Sequence, residues 1–120
     1  MAKETYSDTE RLTHIIDHAR FCITHTAEVD PIAFEENRLL RQSVCFSVEK
    51  IGEAAAYLGR RVKAKWSLVD WDALENLRHL SVHEYFELDY RAVYHTIRTE
   101  FPNLILDVQA ILADDFGVDL

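Results

Sequence analysis

Three runs of apolar residues at three- and four-residue spacing set most of what this chain can become. Leu12, Ile15, Ile16, Ala19, Cys22 and Ile23 form the first. Leu40, Val44, Ser47, Val48, Ile51, Ala55 and Leu58 form the second, and Tyr90, Val93, Ile97, Phe101, Leu104, Val108, Ile111 and Leu112 the third. At about 100° per residue each run closes into one buried helical stripe. Nothing alternates at period two for long enough to make a strand. The expected fold is all-α, a small antiparallel bundle of four to five helices in a single domain covering 1–120. A chain this short buries a modest core, so a symmetric homodimer is expected to take up further apolar surface.

Cap residues mark the boundaries. Ser7 followed by Glu10 is a capping box, opening a first helix that should run to about Ala27. Asp30-Pro31 places proline at the first position of the next helix. The second long helix is expected over Phe34 to Leu58, with Gly59 as its cap. Gly52 lies inside it, where glycine is about 1 kcal/mol worse than alanine. The usual return for that loss is close approach of another backbone, and Ser47, Ala54, Ala55 and Ala56 keep the same crossing narrow. A basic linker then leads to Trp66 and Trp71, two large apolar anchors. Asp70 should cap a short third helix that carries Leu74 and Leu77 inward, and Asp89 should cap the last segment. Pro102 is expected to kink or divide that segment, and the tail from Asp114 to Leu120 to fray.

Thirteen basic against 21 acidic residues give a net charge of −8. Such a chain is repelled by phosphate at long range, so any action on nucleic acid needs local attraction or a partner. Arg60, Arg61, Lys63 and Lys65 are one local source, and a soluble linker would look the same. No apolar run approaches the roughly 18 residues of a membrane span. The amino terminus lacks the apolar segment of a secretory signal. Cys22 and Cys45 fit a reducing compartment, and the cytoplasm is the expected location.

Chemistry concentrates between Leu74 and Phe86, where Arg78, His79, His83 and Tyr85 fall within eight positions. On an uninterrupted helix Arg78, Val82 and Tyr85 share a side, and His79 and His83 lie one turn apart on an adjacent one. Arg78 and His83 are then about 140° apart and flank a groove. Arginine offers a permanently charged fork for phosphate oxygens, and histidine exchanges protons near neutral pH. A solvated helix end is the alternative. Glu49 and Glu53 face either solvent or a neighbouring arginine, with Glu53 the candidate supporting group because it follows the close-packing glycine. His14, His18, Cys22 and His25 lie along one stripe of the first helix. One straight stripe does not wrap an ion tetrahedrally, so a polar flank is expected there and no metal.

Arg78-His-Leu-Ser-Val-His83-Glu-Tyr85 resembles the motif of the HEPN superfamily, in the HepT-like branch: arginine, four residues, histidine, any residue, tyrosine. The likeness extends to Arg11-Leu-Thr-His-Ile-Ile, Ile51-Gly-Glu-Ala54, Trp71, Leu77-Arg78, Tyr85-Phe86, Asp89 and Phe101-Pro-Asn-Leu104, covering about residues 8–112. Where that branch usually has asparagine and glycine, this chain has His79 and Glu84.

The resemblance implies the toxin of a toxin–antitoxin pair: a metal-independent endoribonuclease, active as a homodimer, that needs no cofactor for RNA cleavage. Arg78 would then hold the scissile phosphate and His83 serve as general base or acid. His79 would orient His83, bind phosphate or carry a second proton. The implied partner is a separate minimal nucleotidyltransferase antitoxin, which uses ATP and a divalent ion to transfer AMP onto Tyr85. Without that implication, Tyr85 reads as packing with a polar handle. The alternative is a catalytically weak or inactive helical binding module for the nucleotidyltransferase, a reading that the net charge, His79 and Glu84 favour.

Overall fold

The computed structural model describes residues 6–80 and 89–120. Among these, every regular element is helical: α1 (Asp8–Thr26), α2 (Pro31–Glu36), α3 (Arg38–Ala56), α4 (Arg60–Lys65), α5 (Trp71–Asn76), a 3-10 turn (Leu77–His79) and α6 (Tyr90–Phe116). None of these helices is long and apolar enough to cross a membrane.

Helices α1 and α3 run antiparallel, as their contacts show in order. Asp8 accepts a hydrogen bond from the Gly59 N–H just past α3, at 3.0 Å. His18 Nδ1 lies 3.1 Å from Ser47 Oγ, and Cys22 Sγ lies 3.7 Å from the Val44 carbonyl. Helix α6 enters beside the end of α1, where the Tyr94 hydroxyl donates to the Val29 carbonyl at 2.5 Å. The three stripes meet in one core containing Leu12, Ile16, Val48, Ile51, Ile97, Phe101 and Leu112.

Several helix C-termini are closed by cations from elsewhere. Arg98 donates to the Ile23 carbonyl at 2.9 Å, Arg41 to the Glu35 carbonyl at 2.7 Å, and Lys63 to the Ala55 carbonyl at 2.9 Å. Each side chain satisfies an orphan carbonyl and sits at the negative end of the helix dipole.

The local caps form as expected at Ser7, Asp70 and Asp89, and Pro31 opens α2 as expected, with Asp30 as its cap. The expected Phe34–Leu58 helix, by contrast, is broken at Asn37. That residue leaves helical geometry (φ −92°, ψ 97°) and its side chain accepts from the Leu40 N–H at 3.0 Å. A short amide side chain competing for backbone donors wins over helix continuity here. Gly59 does not close α3, which ends at Ala56. It opens α4 instead, and a Cβ there would lie 2.9 Å from Asp8 Oδ2. The expected linker at residues 60–65 is that helix.

Pro102 does not divide α6. Phe101 and Leu104 on either side of it are buried in the same core as Val93 and Val108, and this shared burial outweighs the lost backbone bond. The tail is tied rather than frayed. Asp115 accepts from Lys65 and, at 2.8 Å, from the Trp66 indole, while Gln109 donates to the Leu120 carbonyl at 2.9 Å. The hydrogen bond from Lys65, followed by that from Trp66, holds the Asp115 carboxyl below its usual range. A depressed folded pKa means this contribution is present above the unfolded value of about 3.9 and is lost as pH falls through the folded one. Protection factors of amides in the last turn of α6, taken against the intrinsic exchange rate at each pH, should therefore fall on acidification below about pH 4 in the wild type. In Asp115→Asn they should be low already and unchanged across that window.

Candidate active site

Trp71 is buried at the start of α5, with its indole donating to the Trp66 carbonyl at 3.0 Å. Leu74 and Leu77 pack against the core. From these anchors α5 tightens into the 3-10 turn that carries Arg78 and His79. The turn lies directly on α3. A Cβ built on Gly52 would stand 2.2 Å from the Arg78 backbone nitrogen, 2.8 Å from the Leu77 carbonyl carbon and 2.9 Å from the Leu74 oxygen. The close approach expected at Gly52 is thus met within the chain, and the small-residue crossing is filled by the segment that presents Arg78.

Arg78 and His79 are both exposed, with Arg78 Nε 3.5 Å from His79 Nε2. Among the described residues no carboxylate makes an ion pair with Arg78. A rigid backbone seat therefore presents an uncommitted guanidinium beside an imidazole, which suits phosphate. Because residues 77–79 form a 3-10 turn, successive side chains there are spaced by about 120° rather than 100°. The helical angles expected from Arg78 onward do not apply at its start. His83, Glu84 and Tyr85 lie outside the described residues, as does the 86–88 connection.

Glu53 makes no ion pair with Arg78. Its carboxylate is 3.8 Å from Lys50 Nζ, and it lines a pocket against α1. Of the four basic residues at 60–65, Arg60 and Arg61 are exposed. Lys63 is committed to the α3 carbonyls and to Glu75 at 2.8 Å, and Lys65 to Asp115. The basic cluster is half consumed by the fold.

The histidine and cysteine stripe of α1 separates in the same way. Cys22 is buried, and burial followed by the nearby Cys45 pushes its thiol up to about 12, so it is a neutral thiol at neutral pH. His25 packs on Phe21 with ring centroids 4.3 Å apart, and His14 meets Tyr6 edge-on at 4.9 Å. Burial, followed by the charge of His14, holds His18 below its ordinary pKa. Among the described residues no three His, Cys, Asp or Glu side chains converge to hold a metal ion.

Arg11 is a charged side chain that the fold buries. It stands at a stripe position of α1 otherwise filled by apolar residues, and a charged residue there was the available signal.

Residues 11–111 match the sequence profile of a family described as "Ribonuclease HepT-like". A protein of Caldanaerobacter subterraneus subsp. tengcongensis, "Putative RNase TTE0752", is 33% identical over 84% of this chain and 90% of its own length. One from Methanocaldococcus jannaschii, "Putative RNase MJ1380", is 28% identical over 83% of this chain and 92% of its own. A second from that organism, "Putative RNase MJ1216", is 26% identical over 90% and 89% respectively. No solved structure matches the chain.

Proposed function

The chain belongs to the HepT-like ribonuclease family, and from that membership we propose that it is a metal-independent endoribonuclease, the toxin of a toxin–antitoxin pair. The observation that carries the reading is the exposed Arg78–His79 pair, seated by direct backbone contact on Gly52 and free of any carboxylate among the described residues. RNA brings its own nucleophile, the ribose 2′-hydroxyl. His83 takes that proton, the 2′ oxygen attacks phosphorus, and the bond to the 5′ oxygen breaks. The products are a 2′,3′-cyclic phosphate and a 5′-hydroxyl. Arg78 binds the phosphate and offsets the charge gained in the transition state. His79 orients His83 or returns the proton to the leaving oxygen.

The active form is a cytoplasmic homodimer in which two such turns share one cleft. Control comes from a separate minimal nucleotidyltransferase. With ATP and a divalent ion, it joins the Tyr85 phenolic oxygen to the α-phosphorus of ATP and releases pyrophosphate. The added phosphate and its bulk oppose RNA at the cleft.

One experiment tests the pair of claims. Unmodified protein should cleave RNA with EDTA present, leaving cyclic phosphate ends. Incubation with the partner, ATP and a divalent ion should raise its mass by AMP at Tyr85 and abolish cleavage, and Tyr85→Phe should take no AMP. Activity that vanishes in chelator and returns with one divalent ion overturns the mechanism. AMP on Tyr57, Tyr90 or Tyr94 in place of Tyr85 overturns the control. The internal pairing of Lys63 and Lys65 favours a second reading, a noncleaving module that holds the nucleotidyltransferase. Partner binding with no cleavage of any RNA would establish that reading instead.

A further inference from the structure

Helices α1 and α3 enclose a pocket of about 260 Å³ that the reaction above does not use. Arg11, His14 and His18 reach it from α1, Lys50 and Glu53 from α3, and Tyr6 stands with them. Arg11 is only 5% exposed. Its guanidinium lies over the Tyr57 ring at 5.2 Å and the Tyr6 ring at 5.7 Å. Among the described residues, no carboxylate pairs with it and no acceptor takes a hydrogen bond from its side chain. Buried cations are ordinarily paired with an anion. Here aromatic faces hold the group in place and leave its N–H fork uncommitted.

The other walls fit the same ligand. Ser47 fixes the His18 ring through Nδ1 at 3.1 Å, which leaves Nε2 for a further hydrogen bond. Arg11 and Lys50 line the pocket together with one carboxylate, that of Glu53, which stands 3.8 Å from Lys50 Nζ. Glu10 is committed to the capping box with Ser7. In a chain of net charge −8, this cavity brings two cations together beside one carboxylate, and among the described residues the Arg11 fork has no carboxylate partner. Tyr6, 44% exposed, adds a ring on which a planar base can stack.

We propose that this pocket binds the phosphate group of a nucleotide, with Arg11 and Lys50 as its charge partners, His14 and His18 as hydrogen-bonding walls and Tyr6 as the platform for the base. The site is separate from the Arg78 turn. Gly52 and the pocket residues lie on opposite flanks of the buried face of α3, whose diameter with side chains is about 10–12 Å. A few nucleotides of single-stranded RNA span that width, and a free mononucleotide carries the same chemistry.

Ring signals of His14 and His18 in the wild-type protein are to be followed by NMR during titration with inorganic phosphate, 5′-AMP, adenosine and an uncleavable 2′-O-methyl oligoribonucleotide. Phosphate and AMP should shift both rings, and adenosine should not. Affinity for AMP should fall about tenfold in Arg11→Met, the effect of losing one hydrogen-bonded charge partner, and several-fold in Lys50→Gln. Lys50 is partly exposed, so its variant carries the test if Arg11→Met does not fold. An oligonucleotide that competes with AMP assigns the pocket to substrate RNA. AMP binding without competition assigns it to a free nucleotide, and both uphold the proposal. None of these readouts requires RNA cleavage, so they stand or fall separately from the ribonuclease reading. Rings that stay unshifted at millimolar phosphate and AMP, or shift equally with adenosine, overturn it. So does an affinity unchanged in Lys50→Gln.

Discussion

Gly52→Ala should reduce RNA cleavage about 100-fold while leaving the chain folded. The new Cβ would stand 2.2 Å from the Arg78 nitrogen, against 3.4 Å or more in ordinary contact, so the turn has to move by about 1.2 Å. Misplacement on that scale is enough to cost two orders of magnitude in a catalytic step. The atoms in conflict are backbone, on both Arg78 and Leu77, and cannot rotate away as a side chain would. Stability should change less than activity. Alanine gains about 1 kcal/mol of helix propensity inside α3. Overpacking against the turn costs about 1–3 kcal/mol, so the net loss is small. The checking measurement pairs kcat/KM on a susceptible RNA with thermal unfolding. A variant as active as wild type would show that the seat of Arg78 on α3 does not matter to the chemistry. Gly52→Val should be worse on both counts, because its branched side chain adds bulk beyond the Cβ.

The charge problem posed by a net −8 is answered by how the cations are distributed. Arg41, Lys63 and Arg98 close helix C-termini, and Lys65 holds the tail. Such cations lend little attraction to RNA, because their fields are spent on nearby carbonyls and carboxylates. Among the described residues, Arg78 beside His79 has no carboxylate partner, nor does Arg11 in its pocket against α3, while Arg60 and Arg61 stay exposed.

Much of this organisation could be read from local signals. Ser7 with Glu10, Asp30 with Pro31, Asp70 and Asp89 each act on backbone groups two or three residues away, so the sequence neighbourhood contains the whole interaction. Gly59 opens α4 rather than closing α3, because glycine serves at either end of a helix and the deciding partner, Asp8, lies 51 positions earlier. Lys63 and Lys65 read as free charges because Glu75 and Asp115 are distant in sequence. Gly52 announced a close backbone but not whose. Its partner being Arg78 links the strongest structural oddity of α3 to the strongest chemical motif of the chain. The Arg11 pocket needs α1 and α3 side by side, and no spacing within either helix contains it.

Substitution of His83 should remove more activity than any other single change, about 10²–10⁴-fold for His83→Ala if it transfers the 2′-hydroxyl proton. Arg78→Ala should cost about 10²–10³-fold, the range for losing one donor to a developing oxyanion. Arg78→Ala should unfold near the wild-type temperature, since Arg78 is exposed and uninvolved in the core. The double variant should be little worse than the more damaging single one, because groups that act on one transition state fail as a unit. His79 separates the possible proton routes. If it returns the proton to the leaving oxygen, the rate should follow a bell in pH, and His79→Ala should abolish the fall at high pH, where a protonated acid is required. If it only binds phosphate, His79→Ala should weaken KM and leave the profile unchanged. Cleavage by His83→Ala at the wild-type rate would exclude this histidine as the proton carrier. The acid–base work would then pass to His79, the imidazole whose ring already lies within 3.5 Å of Arg78.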